Sequence, residues 1–96
     1  MQIGVDFDGT FAADPETFRK VVKTFQDAGH LCVLVTNRGK EWGAEVEKLV
    51  DNLMPIVFAG TSTKRWAAAR AGYNINVWID DNPQWVDEEG LVYIPQ

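Results

Sequence analysis

The chain has 96 residues, 46% hydrophobic and 24% charged, and its 9 basic and 14 acidic side chains leave a net charge of −5. That length holds a single domain, 1–96, and the composition is that of a folded protein rather than a disordered one. The acidic balance counts against a surface built to grip a nucleic-acid backbone, and no apolar run reaches the ~18 residues of a membrane span.

The first element is a short apolar run, residues 3–7, within IGVDFDGTF. It is an odd strand: Asp disfavours strands, yet its end carries two carboxylates, Asp6 and Asp8, around a single Phe7. The stretch DPETFRKVVKTFQDAGH then predicts a helix. Asp14 caps it, Pro15 takes its first position and Glu16 sits in its first turn. Phe18, Val21, Val22 and Phe25 recur at helical spacing, and Gly29 closes it. Residues 31–36, LCVLVT, form a continuous β-rich run, which suits a strand buried on both faces. Cys32, the single cysteine, falls inside that run and reads as a small hydrophobe rather than a nucleophile. With no internal disulfide and no leader-like N-terminal segment, the expected compartment is the reducing cytoplasm.

A second helix is predicted over residues 40–53 from the stripe Trp42, Val46, Leu49, Val50 and Leu53, stopped by Pro55. Residues 56–59 make a third strand. A turn with Ser and Thr caps leads into an Ala-rich helix that runs to Arg70 and closes at Gly72. Residues 75–81, INVWIDD, are a fourth strand ending on paired acids, and residues 91–94, LVYI, a fifth. Trp85 lies in a loop, and the other tryptophans read as strand or helix core. Strands separated by helices imply right-handed crossovers. The expected fold is α/β, a three-layer open parallel sheet of about five strands with helices on both faces.

Three of these strands end in polar side chains: Asp6 and Asp8, then Thr36 and Asn37, then Asp80 and Asp81. Open parallel sheets bind ligands beyond the carboxyl ends of their strands. Adjacent strands would therefore bring up to four carboxylates to one spot, and like charges that close need compensation. Mg2+, a hard cation that takes oxygen ligands, supplies it and attracts phosphate oxygens. The Thr36 hydroxyl and the backbone N–H groups of Asn37 and the turn after it can hold the same phosphate. Lys64, at the opening of the third helix, completes the charge balance. Each residue has a plainer reading when taken singly: Asp8-Gly9 as a turn, Asp80 and Asp81 as caps of the segment from Pro83, Thr36 as partner of a loop amide, Lys64 as a solvated helix residue. Their joint placement at one sheet edge favours a site.

DFDGT resembles the first motif, DxDGT, of the haloacid dehalogenase-like (HAD) phosphohydrolase superfamily. LVTN resembles the second motif, Lys64 the third and WIDD the fourth, in the right order over nearly the whole chain. The resemblance implies a Mg2+-dependent phosphatase that hydrolyses phosphomonoesters. Asp6 would be the nucleophile that becomes an aspartyl phosphate, and Asp8 the general acid and then base. The metal would be held by the Asp6 side chain, the Asp8 backbone carbonyl and Asp80, with Asp81 as a water-mediated or orienting partner. Thr36, Asn37 and Lys64 would bind the phosphoryl oxygens. The stretches from Asp8 to Thr36 and from Thr36 to Lys64 each hold only a helix with its strand, which leaves no room for a cap domain. Capless relatives usually act on macromolecular phosphates or borrow a neighbouring subunit as a lid. A nucleic-acid end and a homo-oligomer therefore stand beside a phosphorylated small molecule among the expected partners. Arg38 is placed to contact a second anionic group of a substrate, a surface arginine being its plainer reading. The remaining class is a non-catalytic HAD-fold binding or regulatory module.

Overall fold

The computed structural model describes residues 1–88. Four strands, β1 (Gln2–Val5), β2 (Leu31–Thr36), β3 (Ile56–Phe58) and β4 (Val77–Ile79), form one parallel sheet in the order β3-β2-β1-β4. Helices α1 (Pro15–Asp27), α2 (Ala44–Val50) and α3 (Lys64–Arg70) make the crossovers. Short 3-10 turns stand at Phe11–Ala13, Lys40–Trp42 and Pro83–Val86. The α/β character and the parallel pairing expected from the alternation are present. The run 91–94 lies outside the described residues. Among the described residues no helix is long and apolar enough to cross a membrane.

Alternate residues of β2 enter two cores. Cys32 and Leu34 pack with Ile3, Val5, Val22 of α1 and Val46 and Val50 of α2. Val33 and Val35 pack with Val57, Ile75 and Ala67 and Ala68 of α3. A strand with apolar neighbours on both faces has no position left for a polar residue, which is why LCVLV is unbroken. Burial also pushes the Cys32 thiol up from its ordinary pKa.

The first helix starts and stops where its caps fall. The Asp14 carboxylate accepts from Thr17 N at 3.1 Å. At the other end Gly29 adopts φ +90°. Its N–H donates to Gln26 O at 2.9 Å, and His30 N donates to Phe25 O at 3.0 Å, a Schellman closure. The third helix ends the same way at Gly72, and Thr63 Oγ1 caps its start by accepting from Trp66 N.

The second helix departs from its expected span of 40–53. A 3-10 turn, Lys40–Trp42, is separated by Gly43 from an α-helix of seven residues. Trp42 is 42% exposed, so the apolar stripe begins at Val46 and not one turn earlier. Gly43 is buried against Phe58, whose ring would lie 2.7 Å from an added Cβ. The C-terminal stop comes before Pro55. Asp51 and Asn52 adopt left-handed conformations, φ 47° and 61°, and end the helix themselves. Trp66, on α3, is exposed as well, so these two tryptophans are not core. The polar ends of the strands are shorter than expected too: β1 stops at Val5 and β4 at Ile79, which leaves Asp6, Asp8, Asp80 and Asp81 in the connections that follow.

Candidate functional site

The chain passes from β1 to β2 and β3 on one side of the sheet, then returns to place β4 on the other side of β1. The strand order thus reverses between β1 and β4, and open α/β sheets place their ligands beyond the carboxyl ends of the strands at such a reversal. Asp6 follows β1 and is 6% exposed; its N–H donates to Ile79 O at 2.9 Å. Asp80 and Asp81 follow β4. Asp6, Asp80 and Asp81 each offer a carboxylate oxygen within 4.8 Å of the others.

Lys64 opens α3 and is 2% exposed, so it is not the solvated helix residue that its position allows. Its Nζ reaches across to Asp6 Oδ1 at 2.8 Å and Asp80 Oδ2 at 2.5 Å. Thr10 Oγ1 lies 3.3 Å from Asp6 Oδ2 and 3.2 Å from Asp81 Oδ1. Asp80 Oδ1 accepts from Asn82 N at 2.9 Å, so one oxygen of Asp80 does cap the turn before Pro83 while the other meets Lys64. Gly9 is required where it stands. Its φ is +78°, and a Cβ there would sit 2.3 Å from Asp81 Oδ2. Burial, followed by the contact with Asp81, pushes the Asp6 carboxyl up to about 7, against the opposing pull of Lys64.

Asp8 goes elsewhere. The residues 7–10 form a turn, and the Asp8 carboxylate is gripped at both oxygens by Arg38, Nε to Oδ2 at 3.0 Å and NH2 to Oδ1 at 2.7 Å. Phe7, between Asp6 and Asp8 in the chain, is fully buried. Arg38 is 6% exposed, which rules out the surface arginine. Its NH1 donates to Glu45 Oε2 at 3.0 Å and to Trp42 O at 3.3 Å, and its guanidinium lies 5.0 Å from the centroid of the Phe7 ring.

Thr36 is buried, and its Oγ1 accepts from Arg38 N at 3.2 Å, the loop-amide partnership that its position allows. Asn37 donates from its amide to Gly60 O at 3.0 Å and Ser62 O at 3.3 Å, which ties the end of β2 to the loop after β3. Its Oδ1 is buried with no partner among the described residues. Thus Asp6, Lys64, Asp80 and Asp81 come together, Asp8 and Arg38 form a neighbouring pair, and Thr36 and Asn37 shape the loop at the end of β2. Thr10 and Glu45 were not singled out from the sequence. Thr10 was legible as the last residue of DFDGT; Glu45 carries no local signal, because its role depends on where α2 packs.

Compared with known proteins, the chain matches no family model, no curated protein and no solved structure.

Proposed function

We propose that this protein is a Mg2+-dependent phosphatase of the HAD type, built on a capless three-layer core. The observation that carries the reading is the Asp6, Lys64, Asp80 and Asp81 cluster just beyond the ends of β1 and β4. Three carboxylates stand against one ammonium, and burial, followed by the contact with Asp81, raises the pKa of Asp6. The donors are all hard oxygens, so the set fits a divalent cation of the Mg2+ class. Asp6 and Asp80 would hold it, with Asp81 beside them and the Asp8 carbonyl as the backbone ligand. When bound, the ion would neutralise charge on the phosphoryl oxygens.

The residues then divide the reaction. An Asp6 carboxylate oxygen attacks the phosphorus of the monoester, the bond from phosphorus to the ester oxygen breaks, and Asp8 gives a proton to the leaving alkoxide. Water next attacks the phosphorus of the aspartyl phosphate and gives a proton to Asp8. Inorganic phosphate leaves and the Asp6 carboxylate is regenerated. Lys64 and the loop at Thr36 and Asn37 align the phosphoryl group, which is where most of the catalysis in phosphoryl transfer lies. A chromogenic aryl phosphate with Mg2+ tests the proposal: turnover is expected, and Asp6→Asn abolishes it. Absence of turnover, or turnover that survives Asp6→Asn, overturns it; a chain that binds Mg2+ yet turns nothing over is a binding module instead.

Hydrolysis at a nucleic-acid end is a second reading, and one observation favours it. A groove of about 710 Å3 opens beside the carbonyls that hold Asn37, lined by Lys40, Gly60, Ser62, Trp66 and Arg70. Cations with an exposed indole suit a polymer of phosphates and bases. Activity on a 5′- or 3′-phosphorylated oligonucleotide, set against sugar phosphates, separates the two substrate classes.

A further inference from the structure

Arg38 is a costly side chain to bury. A buried guanidinium is worth having only where its donors are spent on acceptors, and here they meet both oxygens of Asp8, one of Glu45 and the carbonyl of Trp42. The group is fixed from several sides. Phe7 lies beneath it, Glu45 and Trp42 hold its outer edge, and Thr36 Oγ1 accepts from its backbone N–H. Asp8, by contrast, has a side chain 45% exposed, and an aspartate that open would rotate unless something held it.

We propose that Arg38 is the positioning residue for Asp8. The inference rests on the phosphatase reading above. A planar fork bonded to both carboxylate oxygens sets the plane and rotamer of that carboxylate, which a point charge cannot do. A carboxylate has about four lone-pair sites. The fork takes the pair that faces it and leaves the others, on the exposed side, for the leaving-group oxygen and later for water. Arg38 thereby serves the proton transfers without touching substrate, and it is not a second anion site.

Leaving-group dependence tests this. kcat/KM covers the steps up to the aspartyl phosphate and so reports help given to the departing oxygen. An alkyl phosphate needs that help; an aryl phosphate with a strongly acidic phenol does not. Arg38→Lys and Arg38→Met are expected to lower kcat/KM on the alkyl ester by about 10²-fold, the contribution typical of a placed general acid, and on the activated aryl ester by less than about 5-fold. Asp8→Asn should show the same selectivity, and Asp8→Asn/Arg38→Met no further loss. Added guanidinium should restore part of the alkyl activity to Arg38→Ala. Glu45→Gln, which loosens the outer anchor alone, should give a smaller selective loss. Equal losses on both esters overturn the assignment, as does a rise in KM confined to substrates with a second anionic group. Wild type inactive on both esters overturns the phosphatase reading, and this assignment with it.

Discussion

Lys64→Met removes the one ammonium from the cluster and keeps the length of the side chain. Lys64 is 2% exposed and its partners Asp6 and Asp80 have side chains 7% and 1% exposed. At 2.8 Å and an effective dielectric of about 20, one such contact carries roughly 6 kcal/mol of attraction, most of it offset by the cost of desolvating the ions. What decides the variant is therefore the state left behind. Removing one partner of a buried pair typically costs about 3–5 kcal/mol, a large part of the ~5–15 kcal/mol that holds a domain together. Two routes relieve it. Protonating Asp6 removes one charge, so the loss should be smaller at pH 5 than at pH 8. A divalent cation can stand where the ammonium stood, and Mg2+ at 100 times its Kd would return about 2.7 kcal/mol. Urea unfolding followed by tryptophan fluorescence, in EDTA and in Mg2+ at both pH values, measures all three. A variant within about 1 kcal/mol of wild type in EDTA at pH 8, or one that Mg2+ does not rescue, refutes the argument that charge compensation governs this site.

Two further outcomes follow from the same cluster. The folded-state pKa of Asp6, about 7, lies above its ordinary 3.8; its contribution to stability is therefore complete below that lower value and lost as pH rises through about 7. Asp6→Asn should accordingly flatten the fall in metal-free stability between pH 5 and 8, and wild type should release a proton on binding Mg2+ below pH 7, seen by calorimetry in buffers of different ionisation enthalpy; a parallel fall in the two proteins contradicts the assignment. Gly9→Ala should weaken Mg2+ binding and cost more than ~1 kcal/mol in urea unfolding, because its φ of +78° and the 2.3 Å approach to Asp81 Oδ2 both oppose a side chain; a neutral result would mean that the turn at residues 7–10 can relax.

Local signals carried the helix ends and the buried strand. Asp14, Gly29, Thr63 and Gly72 act through hydrogen bonds to residues a few positions away, and β2 is apolar because both its faces are covered. The second helix was less legible, since Trp42 has the chemistry of a core residue at a position that the fold leaves exposed. For the site, the strand ends pointed to Asp6, Asp80 and Asp81 and the start of the third helix to Lys64, and the sheet order, with β4 beside β1, brings these four together. The separation of Asp8 from Asp6 was not legible. It follows from β1 stopping at Val5, which turns a strand with alternating faces into a loop, and from a partner thirty residues away.

That separation explains how two carboxylates around one phenylalanine can be given different work. Asp6 is buried beside two further carboxylates and a single lysine, and that burial, followed by the contact with Asp81, pushes its pKa up. Asp8 is instead met by a guanidinium in a half-exposed setting, where solvent also screens it. In the proposed reaction Asp6, buried beside two further carboxylates, would help hold the cation and attack phosphorus, while Asp8, paired with Arg38, would keep a fixed direction for proton transfer. Phe7, between them in the chain, is buried in the apolar core, and Arg38 lies against its ring. On that proposal, exchanging the environments would spoil both roles, since an unpaired Asp8 would rotate and an arginine-bound Asp6 would neither take up the cation nor reach phosphorus.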